Sequence, residues 1–495
     1  MKLKHLSLSV MIMGTALGLA STQAAASGYQ FGSQSVSGQG TAHANGAEAN
    51  DPSTIFTNPA GLSRLDGTQL VIGGTLVVPH SEYTDNGSVR TVMIPGSSAQ
   101  PTGGNNGGTF APKAVAAPTF YLSHKINDKI TAGIGMYVPY GAKLDYGFDW
   151  AGRYALKSIN LQSLNINPSI SFKLDERHSF GFGVSAQYMD ATLEQMADAT
   201  TGLNAGVFQA AYARALGLGL SPAAAATAAQ GAVKAANISG DGLAHVEGND
   251  WGFGWNIGYM FQLNESTRFG LAYRSSIKQS LKGTSTWTFD NVTGSIAGSP
   301  LTPAQIAKLK HPNASASVDV TTPETASANF FHQLNPKVAL MGDVTWVRNS
   351  QLQQIDIKQY STPAQGDLVL HQNWKDTWRV SFGSNYQLND SWMLRGGVAW
   401  EQAPLQSDDQ RHPAIPDSDR IWLSFGANYK INKQSSLDLA YSFIDFKNAN
   451  VNYTDSCNPS GQKADGSLCT GNGGTVKGSY KTYLQLIGVQ YNYRF

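Results

Sequence analysis

The side chains best placed to do chemistry in this sequence are cations set among alternating residues: Arg274, Lys278, Lys375, Arg379, Arg395, Lys430 and Arg494, with the carboxylates Asp343, Glu401 and Asp438. A guanidinium or ammonium in a dry pocket binds a carboxylate strongly. Any of these cations, Arg274, Lys375 and Arg379 among them, could grip a carboxylate head group, and parity does not choose between them; the competing arrangement is an ion-pair network that braces an interior. Covalent chemistry has no such candidates. The chain lacks Gly-x-Ser-x-Gly, HExxH and Walker motifs, and its 10 histidines show no metal-ligand spacing. The expectation is a protein that binds rather than catalyses, with no cofactor and no metal site.

The elements that position these residues alternate with a period of two. Tyr483, Gln485, Ile487, Val489, Tyr491, Tyr493 and Phe495 alternate with Gly488, Gln490, Asn492 and Arg494. Trp251, Phe253, Trp255, Ile257, Tyr259 and Phe261 share one face, with Gly252, Gly254, Asn256 and Gly258 opposite, a glycine lining that leaves room inside. Trp374, Trp378, Phe382 and Tyr386 are assigned to the same lipid-facing side. Because hydrocarbon leaves no partner for an unpaired backbone group, so many amphipathic strands imply a closed barrel, lipid-facing outside and polar inside. On this parity the cations point inward.

Short polar joints (Asn127-Asp128, Asp175-Glu176, Asn264-Glu265-Ser266, Gln333-Leu334-Asn335, Asn389-Asp390, Asn432-Lys433) alternate with long segments (80–112, 143–156, 196–243, 290–314, 358–367, 404–418, 448–477). That is the rhythm of periplasmic turns and external loops, and it counts to about 14 strands. Residues 203–237 and 302–310 carry strong helix formers, so short helices are expected in the external loops.

Lys2 and Lys4 precede an apolar run, Leu6 to Leu19, that ends near Ala24 and Ala26, the pattern of a secretory signal peptide over residues 1–26. No later stretch is long and apolar enough for a membrane-spanning helix. A net charge of +1 argues against a nucleic-acid partner. Cys457 and Cys469 sit close together in a Gly/Asn-rich loop and are expected to pair outside the cytoplasm. The barrel is expected over 67–495. Residues 27–66 precede it, too long for a tail and apolar at Ile55, Phe56, Ala60 and Leu62; folded back inside, they form a plug.

Several segments together resemble the outer-membrane long-chain fatty-acid and hydrocarbon transporters, the FadL-like barrels: SGYQFGSQSVSGQGTAHANGAEA, TNPAGL, GNDWGFGWNIGY with Tyr273-Arg274-Ser275, WKDTWRVSFGSNYQLNDSWMLRGGVAW and IPDSDRIWLSFGANY. The resemblance covers essentially the whole chain beyond the leader. It implies a 14-stranded, plugged, monomeric barrel in the outer membrane of a Gram-negative bacterium, in contact with outer-membrane lipid and lipopolysaccharide. It further implies passive uptake of long-chain fatty acids or other hydrophobic molecules, with lateral exit at a kinked third strand. The plug motif maps to Phe56, Asn58, Pro59 and Ala60, and the wall gap to Val138, Pro139, Tyr140 and Gly141. The family's head-group arginine and lysine fall near Gln195 and Leu370, which are uncharged here, so another inward cation or an uncharged hydrocarbon or aromatic ligand becomes the alternative. A porin and a surface adhesin or receptor are the rival classes.

Overall fold

The computed structural model describes residues 28–90, 98–296, 298–302, 313–359, 368–454 and 474–495. The leader, residues 303–310 of the second expected helix and the Cys457–Cys469 loop lie outside the described residues. Fourteen strands run in chain order: β1 (Thr68–Asp85), β2 (Val115–Lys125), β3 (Ile130–Tyr137, resumed over Gly141–Asp145), β4 (Ser158–Lys173), β5 (His178–Ala197), β6 (Gly242–Asn264) and β7 (Thr267–Arg274 and Ile277–Thr288) form the first half. The second half comprises β8 (Ala314–Thr322 and Thr325–Asn335), β9 (Val338–Val347 and Gln354–Gln359), β10 (Leu368–His371 and Thr377–Gln387), β11 (Trp392–Glu401), β12 (Arg420–Lys430), β13 (Ser435–Phe446 and Ala449–Thr454) and β14 (Thr475–Arg494). Each pairs antiparallel with the next, and β14 closes on β1 from Gln69↔Arg494 to Asp85↔Gly478. Closure removes the sheet edges that hydrocarbon would leave unpaired.

The short joints share one local device. Asn127, Asp175, Asn264, Asn335, Asn389 and Asn432 each accept, through a side-chain oxygen, the backbone N–H groups two and three residues on, at 2.7–3.1 Å. These are Asx turns, which reverse a strand without tertiary help. The N–H groups of Arg177 and His178 hold the Asp175 carboxyl below its ordinary range.

Outward positions carry large apolar side chains in contact with the surroundings, among them Trp251, Phe253, Trp255, Trp378, Phe382 and Phe425. Of the external helices expected over 203–237, two are present, α1 (Ala199–Gly217) and α2 (Pro222–Ala236). Asp198 caps α1 by accepting the Thr201 N–H, and α2 starts on Ser221-Pro222 and ends at left-handed Asn237. The loop over 404–418 turns inward: Leu405, Arg411, His412, Ala414 and Ile415 are buried in the barrel mouth.

The parity expectation fails where strands break. Ser275 and Ser276 interrupt β7, with Ser275 both accepting the Trp255 N–H and donating its own N–H to the Trp255 carbonyl. The count slips by one residue there, so Ile277 and Gln279 are buried while Lys278 is exposed. The irregular joint 372–376 in β10 does the same, burying Trp374 against Tyr29 and exposing Lys375. Lys430 and Arg494, at the turn end of the barrel, are also exposed.

Residues 28–66 lie inside the barrel, almost wholly buried. They contain α-helical turns at Val36–Gln39 and Thr54–Thr57 and 3-10 turns at Asn45–Ala47 and Pro59–Arg64. Polar side chains stitch the segment to itself and to the wall: Ser37 donates to Asp51 at 2.6 Å, Gln39 to the Leu486 carbonyl at 3.1 Å, and Asn385 to Glu48 at 2.6 Å. Ala42 and His43 adopt left-handed backbone, which is costly for residues with a Cβ. The turn is held because it presses against glycine: a Cβ on Gly397 would come within 2.2 Å of the Thr41 backbone.

Candidate functional site

Between Tyr137 and Gly141 the third strand loses its ladder, because Pro139 cannot donate a hydrogen bond. On one side Ser163 replaces the ladder, accepting the Tyr140 N–H at 2.9 Å and donating to the Tyr140 carbonyl at 2.8 Å. On the other, the beginning of the N-terminal segment substitutes for a strand. Phe31 donates to the Pro139 carbonyl at 2.7 Å, and Gly141 donates to the Tyr29 carbonyl at 2.8 Å. The Gln34 amide completes the seal, accepting the Val138 N–H at 3.1 Å while donating to the Val138 and Phe31 carbonyls at 2.6 Å each. Gln34→Leu would strand the Val138 N–H and carbonyl, at about 1–3 kcal/mol for each unpaired buried group. Faster amide exchange at Val138, with the barrel still folded, is the expected result; unchanged protection would show that water or Phe31 suffices.

Asn58, Pro59 and Ala60 press elsewhere. Asn58 donates to the Tyr259 carbonyl of β6 and the Leu271 carbonyl of β7, at 3.1 and 3.3 Å. Glycines make room for the motif: a Cβ on Gly181 would sit 2.2 Å from the Pro59 backbone, and one on Gly258 would sit 2.1 Å from Asn58 Oδ1. The space opposite the exposed Trp251 to Phe261 face is thus occupied by the N-terminal segment at Gly258, and Ile277 and Gln279 crowd Gly252. Phe56 links the motif to β3, its ring 5.1 Å from Tyr137 and edge-on to it.

Pro59 and Pro139 line one cavity of about 90 Å³, together with Phe56, Tyr140, Arg274 and Arg379. Among the described residues Arg379 faces Asp343 at 3.6 Å, Arg395 pairs with Asp438, and Arg420 pairs with Asp417 at 2.9 Å. Arg274 has no such partner. Its Nη2 donates to the Phe56 carbonyl at 3.0 Å, and its Nη1 makes long contacts to Ser185 and Asn167 at 3.4 and 3.5 Å. Lys375, exposed, is not among the residues that line the cavity.

The inward surface is zoned by height. Around Arg274 it is polar, with Asn165, Asn167, Ser185, Gln187, Asn256 and Gln279 buried there. Toward the loops it turns apolar, through Leu161, Met189, Leu193, Leu281, Val320 and Trp374. Gln195 is buried there and donates to the Tyr154 carbonyl, and Leu370 packs with Ile357, Leu193 and Val318. The positions that resemblance assigns to charged head-group residues are therefore neutral in fact as well as in sequence.

The family model of outer membrane protein transport proteins (OMPP1/FadL/TodX) matches residues 17–495. The chain belongs to this family. Its relatives include an outer membrane protein of Neisseria meningitidis serogroup B, 33% identical over 492 residues and covering 98% of both chains. The long-chain fatty acid transport protein of Escherichia coli K12 is 29% identical over 444 residues, 89% of this chain and 92% of its own. A FadL homologue of Pseudomonas aeruginosa has the same fold, with a TM-score of 0.75 at 24% identity over 94% of this chain and 100% of the other. The protein is thus an outer-membrane transporter of the FadL/TodX type and not an enzyme. Within that family setting, sequence reasoning pointed to Pro139, Pro59 and Arg274 but missed Tyr29, Phe31 and Gln34; the only local signal for these was the Gly/Ser-rich start itself.

Proposed function

We propose that this protein admits long-chain fatty acids across the outer membrane by passive diffusion, releasing them sideways through the barrel wall at the β3 interruption. The observation that supports this most is the zoning of the inward surface: an apolar region under the loops lies above a cavity that touches both prolines and carries Arg274, with buried Asn and Ser side chains around the arginine. An amphipathic chain fits that order, its tail in the upper region and its carboxylate beside a guanidinium with no carboxylate partner. Each methylene that leaves water contributes ~0.8 kcal/mol, so transfer into the hydrocarbon core needs no energy source. Tyr29, Phe31 and Gln34 close the wall at Val138, Pro139, Tyr140 and Gly141, and Phe56, Asn58, Pro59 and Ala60 serve as the plug's gate beside the cavity that Pro59 and Pro139 share. Arg274 and Arg379 are the head-group candidates that fit this geometry; Lys375 does not join them.

The neutral Gln195 and Leu370 favour a second reading, transport of uncharged hydrocarbons or aromatics. The test uses cells lacking their own fatty-acid transporter. Pro59→Ala, and more strongly deletion of Asn58 to Ala60, should cut fatty-acid uptake by about tenfold or more, the effect of ~1.4 kcal/mol on the rate-limiting opening. The barrel should stay heat-modifiable. Normal uptake by the deletion variant would remove the lateral-exit mechanism, and uptake of alkanes but not acids by the parent would favour the second reading.

A further inference from the structure

We propose that Arg274 is the residue that couples arrival of a carboxylate to release of the plug, and so sets a preference for acids over neutral lipids. The proposal rests on the uptake reading above. Arg274 projects inward from β7 at the height of the β3 break and ties two elements together. Its Nη2 holds the Phe56 carbonyl, in the helical turn that leads into Asn58-Pro59, at 3.0 Å. Its guanidinium lies over the Phe56 ring at 5.2 Å and over the Tyr137 ring at 5.6 Å. Tyr137 is the last ladder residue before the interruption and is anchored in turn by donating to Asn167 Oδ1 at 2.9 Å. The guanidinium therefore sits between the plug and the end of the broken strand, facing the cavity that both prolines line.

Its present contacts are weak ones for a half-buried cation. A carbonyl, two contacts at 3.4 Å or more and two ring faces leave donors of the guanidinium fork underused. A carboxylate entering the cavity would offer a bidentate, charge-assisted pair, about twice as strong as a bond to a neutral carbonyl. Turning the fork toward that ligand withdraws it from the Phe56 carbonyl and from the stack on Tyr137. The plug then loses its tie to the wall beside the exit when the head group reaches it. A fatty alcohol or alkane has no charge with which to compete, so it leaves the tie intact and passes more slowly. The other inward arginines do not serve this role: Arg379, Arg395 and Arg420 already face Asp343, Asp438 and Asp417, and Arg268, which holds the Ala47 and Glu48 carbonyls, does not line this cavity.

The test uses the full-length protein in lipid vesicles, with oleic acid and oleyl alcohol as probes and Arg274→Gln and Arg274→Lys as variants. The parent should admit the acid faster than the alcohol. Arg274→Gln should lower the acid-to-alcohol ratio about tenfold, the scale of one charge-assisted hydrogen bond, and Arg274→Lys should restore part of it. Amide exchange over residues 54–60 should rise when oleic acid is added to the parent and not when it is added to Arg274→Gln. Equal loss of acid and alcohol uptake in Arg274→Gln, or an acid-induced rise in exchange that survives the substitution, would overturn the proposal while leaving the uptake reading intact. A parent that admits neither compound would overturn the uptake reading and the proposal with it.

Discussion

Gly181→Leu is expected to turn a closed barrel into a steadily conducting one. Gly181 faces inward on β5, and a Cβ there would lie 2.2 Å from the Pro59 carbonyl carbon and 2.3 Å from the Ala60 nitrogen. Both are main-chain atoms, so no rotamer change relieves the clash. The wall is set by its ladder to β4 and β6, which the substitution leaves alone. The N-terminal segment must yield, and overpacking of this kind costs about 1–3 kcal/mol. Single-channel recording in a planar bilayer should show large steady conductance for Gly181→Leu. Gly396→Leu is the matched control, because a Cβ at Gly396 meets nothing within 4 Å. If Gly181→Leu folds and stays as silent as the control, the Asn58-Pro59-Ala60 turn does not block the lumen.

The second large effect falls on stability. Arg395 on β11 and Asp438 on β13 form an ion pair in which each side chain is 2% exposed, and Asp438 also accepts from Asn492 at 2.6 Å. Asp438→Leu takes from a buried guanidinium its directly paired carboxylate, at a cost of about 3–5 kcal/mol. Removing both charges, in Arg395→Met with Asp438→Leu, should recover most of that loss, because well-packed apolar pairs replace buried ion pairs at little net cost. Urea unfolding in lipid, followed by tryptophan fluorescence, gives the four stabilities of the double-mutant cycle. A loss below about 1 kcal/mol for Asp438→Leu would mean that the pair behaves as a solvated surface bridge. The bracing role, which competes with ligand binding for these inward cations, would then be lost at this site.

Such pairs show where residue-level reasoning succeeds. Arg379, Arg395, Asp343 and Asp438 could be set inward by counting alternate positions, and the structure pairs Arg379 with Asp343 on adjacent strands and Arg395 with Asp438 across the intervening β12. The same count misplaced Lys278, Lys375 and Trp374. In each case an irregular joint, Ser275-Ser276 or 372–376, resets parity, and nothing in the local pattern announces by how many residues. The two proline motifs, which the resemblance assigns to the plug and the wall gap, meet only in part. Pro59 and Pro139 share a cavity, but Phe31 and Gln34 seal the broken strand, while Asn58 holds β6 and β7.

What the amino-acid order determined alone is whatever depends on near neighbours: the Asx turns at Asn127, Asp175, Asn264, Asn335, Asn389 and Asn432, the capped external helices, and the alternation that makes a closed barrel the only satisfied state in hydrocarbon. What only the tertiary structure decided is which groups meet inside it. Gln34 reaches Val138 across 104 residues, and Arg274 reaches Phe56 across 218. Those distances close because barrel registry and glycine-lined walls bring remote segments to the same height. Hydrogen bonding at that range is set by shape and not by spacing along the chain.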